Sequence, residues 1–177
     1  MTARVNPKVE RAMRDAMGHA AHAEVGKIEP ALAVLHDRER TQALALSMAV
    51  ACYVTVDACG GQWPDDGDLR QIAHDLATTG ESARQMQLDA SEIHAYLSRV
   101  VLGPELVEDV IPDDSRAARI AIIVAQRAAV VYSPKGMDTW SYLDQIESAL
   151  EVASTLDATV LPAAVMRAYL PKAAEAR

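Results

Sequence analysis

The fold is decided by residues 41–56, which read TQALALSMAVACYVTV. This run holds no charged residue and is apolar on every side when wound into a helix, as in a helix that neighbours surround. It is shorter than the roughly 18 apolar residues that suggest a membrane span. The sequence therefore predicts a buried central helix over residues 41–59, which Gly60 and Gly61 end.

A second apolar run predicts a second central helix over residues 115–132, capped by Asp113, Asp114 and Ser115. Between and beyond these runs, apolar residues recur at helical spacing on one face only. Such amphipathic or short helices are predicted over 9–25, 30–35, 69–79, 82–103, 106–111, 138–153 and 162–171. Together they indicate an all-α fold: a single globular, bundle-like domain over residues 1–177. It would have about six to eight helices around the two buried ones, with 1–7 and 172–177 as frayed termini.

Charge and cysteine content narrow the classes of function. The net charge is -8, from 17 Lys and Arg against 25 Asp and Glu, which works against nucleic acid and anionic membranes and favours a basic protein partner. Cys52 and Cys59 fall on one helix about 10 Å apart, beyond the reach of a disulfide. The N-terminal residues also lack the apolar core of a secretory signal, so a cytoplasmic location is expected.

The first helix carries a candidate metal site. Asp15, His19 and His22 lie at positions i, i+4 and i+7 and project to one side, and two imidazoles with a carboxylate can bind zinc or iron. Met13 and Met17 lie on the opposite, apolar face, so the alternative is a solvated polar face. A divalent metal is the one cofactor that the sequence suggests.

Two His-Asp dipeptides suggest a second metal hypothesis. A single His, then His-Asp, then a distant Asp resembles the ligand order of the HD-type metal phosphohydrolases, which are all-α. The resemblance implies His36, the pair His74 and Asp75, and either Asp138 or Asp144 as ligands, with a metal-activated water attacking phosphorus. The alternative places His74 and Asp75 on the partly exposed side of a short helix.

Two tryptophans stand beside carboxylates and are candidates for an interface. On the long helix after residue 138, one stripe holds Trp140, Asp144, Glu147 and Glu151, a pattern that suits a basic partner. The alternative is a solvated acidic face, with Trp140 packed against the domain. The loop after the first central helix holds Trp63 with three carboxylates. These are Asp65, Asp66 and Asp68. For this loop the alternative is that Trp63 folds back onto the domain and the carboxylates cap the next helix.

The central helices suggest a small-ligand pocket lined by Met48, Cys52 and Tyr53. Arg127 stands among apolar residues of the second central helix, so it needs a polar partner if it is buried, and Asp57 is the predicted one.

A helix-turn-helix is the last motif. Residues 72–81 resemble its first helix and turn, and Arg84, Gln85 and Gln87 would then lie on the reading helix. The carboxylates of Asp75, Glu81, Asp89 and Glu92 surround them and oppose binding to phosphate.

No phosphate-binding glycine loop, dinucleotide fingerprint, nucleophile elbow, Cys-x-x-Cys pair or His-Glu-x-x-His run occurs in the chain. The leading hypothesis is therefore a non-enzymatic helical protein acting through protein contacts, as a regulator, an immunity-like or antitoxin-like neutraliser, or an assembly subunit. A homodimer is also expected from its apolar helices. The alternatives are the metal-dependent phosphohydrolase, the small-ligand-binding bundle and the helix-turn-helix DNA binder.

Overall fold

The computed structural model describes residues 6–102 and 115–153. Within these ranges the chain forms helices and connecting turns, without a β-strand, so the predicted all-α fold is confirmed. The α-helices are α1 (Pro7–Ala21), α2 (Ile28–Leu32), α3 (Asp37–Ala58), α4 (Asp66–Thr79), α5 (Glu81–Gln85), α6 (Ala90–Leu102), α7 (Ser115–Val131) and α8 (Thr139–Ala153). The linking turn predicted at 106–111, the caps Asp113 and Asp114, the last helix at 162–171 and the frayed C-terminus lie outside the described residues.

The two predicted central helices are α3 and α7. Every side chain of α3 from 43 to 56 except Tyr53 is buried. This helix packs against α1, α6, α7 and α8, while α7 also contacts α2 and α4. Among the described helices, only α3 has the length and hydropathy of a membrane span, and 72% of its most apolar window is buried inside the domain. Its apolar surface therefore forms the core of the bundle.

Helix ends differ from the prediction where local hydrogen bonds decide them. α1 begins at Pro7, because the Asn6 side chain accepts the backbone N–H of Lys8, so this end is capped. It ends at Ala21 instead of Val25, since Ala23 takes a left-handed backbone with φ of 57°.

α3 starts four residues before the predicted Thr41. The charged residues ahead of the apolar run form its first turn, and the backbone N–H of His36 donates to Glu39 across 3.1 Å.

The single helix predicted over 82–103 is two helices. Gln87 adopts a left-handed backbone with φ of 55°, which ends α5. The Asp89 side chain then accepts the backbone N–H of Glu92 across 2.8 Å at the start of α6. Met86 therefore lies between the two helices, although its position in the sequence keeps the helical spacing of the apolar residues of α6.

Two glycines give a matched test of this backbone. A Cβ added at Gly18 or at Gly60 would meet no atom within 4 Å, but Gly18 is helical whereas Gly60 has a φ of +69°. Gly18→Ala should therefore raise the free energy of unfolding by about 0.5–1 kcal/mol. Gly60→Ala should lower it by about 1 kcal/mol. Urea denaturation measures both, and a loss of stability with Gly18→Ala would contradict the helical assignment.

Candidate functional site

Trp140 is held at the surface by the first turn of α8. The carboxylate of Asp138 accepts the backbone N–H groups of Trp140 and Ser141, at 3.0 and 3.1 Å, and the hydroxyl of Ser141 at 2.5 Å. These bonds, the hydroxyl's first, lower the pKa of Asp138. Tyr142 and Leu143 turn into the core, where the Tyr142 hydroxyl donates to Asp57 on α3 across 2.7 Å. The helix is thereby fixed with Trp140 facing outward and 43% exposed.

Two hollows flank the Trp140 ring. The larger of the two, which we call the groove, has a volume of about 540 Å³ and is lined by Arg14, Asp15, Gly18, His19, His22, Glu24, Ala31, Val34 and Trp140. The apolar pocket, of about 100 Å³, is lined by Met17, Ala21, Gln126, Val130, Thr139, Trp140 and Leu143. Residues of α1, α2, α7 and α8 thus meet on one surface, which we call the Trp140 face.

Exposed apolar side chains concentrate on this face. In the described part of the chain, four large hydrophobic residues stand out to solvent: Val34 (64% exposed), Leu102 (40%), Val130 (39%) and Trp140. All but Leu102 line the groove or the pocket. Because single exposed hydrophobic residues are ordinary but clusters of them mark binding surfaces, the Trp140 face is the candidate site.

A cluster of charges joins α1 to α8 beside Trp140. The Arg14 guanidinium lies 2.6 Å from Glu147, 2.5 Å from Asp144 and 3.3 Å from Glu10. Burial lowers the pKa of Arg14, but the hydrogen bonds to Glu147 and Asp144 outweigh burial and raise it. One cation therefore faces three carboxylates, and the cluster is acidic.

Glu147 corrects the predicted interface stripe on α8. It is only 7% exposed, because its carboxylate turns inward to Arg14. Burial raises its pKa, although Arg14 pulls the pKa down. Trp140 and Asp144 are exposed, as the interface hypothesis requires, while the side chain of Glu151 lies outside the described residues.

A second ion cluster includes two residues that line the groove, Glu24 and His19. Glu24 accepts Lys27 Nζ at 2.6 Å and contacts His19 Nδ1 at 2.7 Å. These hydrogen bonds, that of Lys27 first, lower the pKa of Glu24 to about 2. Glu24 is therefore ionised at any physiological pH, and exposed Asp15 lines the same groove.

The predicted metal site on α1 is not assembled. His19 is tied to Glu24, and His22 Nδ1 lies 2.8 Å from the carbonyl oxygen of Gly18. Over residues 6–102 and 115–153, no three His, Cys, Asp or Glu side chains are grouped so as to hold a metal ion. Asp15, His19 and His22 line the groove as separate polar groups.

The residues implied by the HD-type resemblance are dispersed. His36 precedes α3, and His74 is exposed on α4. Asp75 accepts the Tyr132 hydroxyl across 2.9 Å, and Asp138 and Asp144 bind Ser141 and Arg14. Because each of these carboxylates has a structural partner, the arrangement does not support a phosphohydrolase centre.

The loop after α3 is engaged within the domain. Trp63 is partly buried against the core, as the fold-back alternative predicts. Asp65 and Asp68 form a reciprocal capping box at α4, and Asp66 contacts His94 and Arg70. These contacts explain the loop structurally, and it lies outside the Trp140 face.

The predicted pairing of Arg127 with Asp57 is wrong. Arg127 donates to Thr79 Oγ1 across 2.5 Å, where α7 meets the end of α4, while Asp57 binds Tyr142. Burial lowers the pKa of Arg127.

The residues of the predicted small-ligand pocket pack into the domain. Met48 and Cys52 are fully buried in the core and Tyr53 is partly buried against it. They line neither the groove nor the apolar pocket.

The helix-turn-helix interpretation also fails. Its reading helix would be α5, which has only five residues. Glu81 moreover lies 2.5 Å from Arg84, which places a carboxylate beside the proposed phosphate contact.

Several residues of the Trp140 face were missed from the sequence. Gln126 interrupts the apolar run of α7 at a buried position, a pattern that could have marked it. Arg14, Val34 and Val130 give no such signal, because their role depends on helices distant in the chain. Models of known protein families, curated proteins and solved structures gave no match to this chain.

Proposed function

We propose that this protein acts by binding another protein, which presents a basic and partly apolar segment to the Trp140 face. The observation that carries the proposal is the clustering of Val34, Val130 and Trp140 on one surface. A half-exposed tryptophan flanked by concave surfaces is the type of anchor that dominates binding energy at protein interfaces. Such a role suits a regulator, a neutraliser of the immunity or antitoxin type, or an assembly subunit.

The charges around the face favour a basic partner over a second copy of this chain. The carboxyl groups of Asp15, Glu24 and Asp144 lie along or beside the groove, and Arg14 is already surrounded by acids. Two copies meeting through this face would bring like charges together, which opposes association. Lysine or arginine on a partner would find complementary charge and would associate faster at low salt.

The proposal predicts that a partner contacts the Trp140 face. A photo-crosslinking amino acid placed at position 130 in the native cell keeps Trp140 in place and should give a discrete adduct, whereas the same group at position 102 should not. Leu102 is a matched control because its exposure of 40% is close to the 39% of Val130. The purified partner should then bind the unmodified protein directly, with affinity that falls as salt is raised. Adducts that are identical at both positions, or none at position 130, would overturn the proposal.

A further inference from the structure

One carboxyl group of the groove has no partner in the described part of the chain. Of the acids along or beside the groove, Glu24 is paired with Lys27 and Asp144 with Arg14. Asp15 is exposed in the lining, and no hydrogen bond or ion pair joins its side chain to another described residue. The carboxyl group of Asp15 is therefore open to a cationic group from outside the chain.

Helix geometry brings Asp15 to the same part of the groove as Trp140. Trp140 also lines the apolar pocket, together with Met17 and Ala21, so this side of α1 lies next to the indole. At about 100° per residue, Gly18 lies between that side of the helix and the side that carries Asp15. A Cβ added at Gly18 would meet no atom within 4 Å, so the groove is open above this residue.

The indole and the carboxyl group together favour arginine over lysine. A guanidinium is planar, so it stacks on an aromatic ring while its N–H groups, which lie in the plane, donate to a carboxylate. A lysine ammonium is a compact and strongly hydrated charge, so it loses more on leaving water. Val34, which is 64% exposed and lines the same groove, offers an apolar contact for the aliphatic stem of arginine.

We infer that the groove beside Trp140 is the recognition site for an arginine side chain on the segment that docks on this face. This inference rests on the proposed function and names the residue that the partner must present. The guanidinium lies above Gly18, where it stacks on the Trp140 indole and donates to the carboxyl group of Asp15. Val34 then contacts the stem of the arginine.

The amides of N-acetylarginine, N-acetylcitrulline and N-acetyllysine test this inference directly, because citrulline has the shape of arginine without its charge. Titration of each into the full-length protein is followed by NMR at the Trp140 indole N–H, with the indole of Trp63, outside this face, as the internal reference. The arginine amide should bind about threefold to thirtyfold more tightly than the citrulline amide, as one cation–π contact and one surface ion pair together imply. It should also bind more tightly than the lysine amide.

Three variants locate the site. Asp15→Asn should remove most of the preference for arginine over citrulline, whereas Asp89→Asn should leave it unchanged. Asp89 is a matched control, because the same change is made outside the Trp140 face and asparagine still caps α6. Gly18→Leu should block all three amides without lowering the urea midpoint, since leucine favours a helix and fills the open part of the groove.

The outcome separates this inference from the proposed function. Equal affinity of the arginine amide and either of the other two, or an unchanged preference in Asp15→Asn, would overturn the inference. If a protein partner is still crosslinked at position 130 in that case, the arginine site is wrong and the function stands. If the amides bind as expected but no partner contacts the Trp140 face, the proposed function is wrong and the groove is a site for small guanidinium compounds.

Discussion

Arg14→Met is expected to lower the free energy of unfolding by about 2–4 kcal/mol, because it leaves the carboxylate of Glu147 buried without its cation. Glu147 Oε2 accepts from Arg14 across 2.6 Å, and the Glu147 side chain is 9% exposed. The same ion pair joins α1 to α8, so the variant should also loosen the support of Trp140. Urea denaturation at neutral pH measures the loss, and the indole signal of Trp140 reports the local change.

A second salt bridge provides the matched control. Arg84 lies 2.5 Å from Glu81, a similar distance, but the two side chains are 67% and 59% exposed. Arg84→Met should therefore cost less than about 0.5 kcal/mol. In the Arg14→Met background, Glu147→Leu should restore most of the lost stability, since no buried charge is left. Equal losses for the two arginine variants would refute the role assigned to burial.

The effect of Arg14→Met should depend on pH in a defined direction. Burial raises the pKa of Glu147, so the folded protein keeps its proton at pH values where the unfolded chain has lost it. The contribution of Glu147 to the free energy of unfolding therefore falls as the pH rises from its pKa in the unfolded chain through its pKa in the folded protein. Removing Arg14 removes the attraction that lowers the pKa of Glu147. The folded-state pKa therefore rises, and the pH range over which stability is lost extends upward. The deficit of the variant should grow from about pH 4 towards neutrality.

Ile122→Ala in the second central helix is expected to cost about 2–5 kcal/mol, because it opens a cavity in a fully buried position. This is a large part of the roughly 5–15 kcal/mol by which domains are stable. Val130→Ala on the same helix is the control: its side chain is exposed at the Trp140 face, and the change should cost about 0.5 kcal/mol or less. Thermal and urea unfolding of both variants test the assignment of α7 as a central helix. Similar losses in the free energy of unfolding for Ile122→Ala and Val130→Ala would contradict it.

The central helices could be predicted because their signal is local. Residues 43–56 are apolar on every side, and a helix of that kind must be surrounded. Periodicity alone could not locate the break at Gln87, because apolar residues keep their helical spacing across it and the break is set by backbone conformation.

The candidate site could be predicted only in part, because it is assembled from four helices. Helical spacing places Trp140 and Asp144 on one stripe as interface candidates, and both side chains are exposed. Glu147 was assigned to the same surface, but the position of α1 brings Arg14 against it and buries it. The spacing of His19 and His22 indicated a shared ligand site, yet nearby hydrogen-bond partners separate them. Contacts between elements distant in sequence therefore decide which polar residues are available.

The most direct test of the proposed function is the dissociation constant of the purified partner for the protein and for its Trp140→Ala variant, measured by titration calorimetry. If Trp140 is the anchor, truncation should weaken binding by about 2 kcal/mol or more, roughly thirtyfold, while the urea midpoint stays unchanged. Leu102→Ala should leave both quantities as they are. Equal dissociation constants for the protein and Trp140→Ala would contradict the assignment of the Trp140 face as the binding surface.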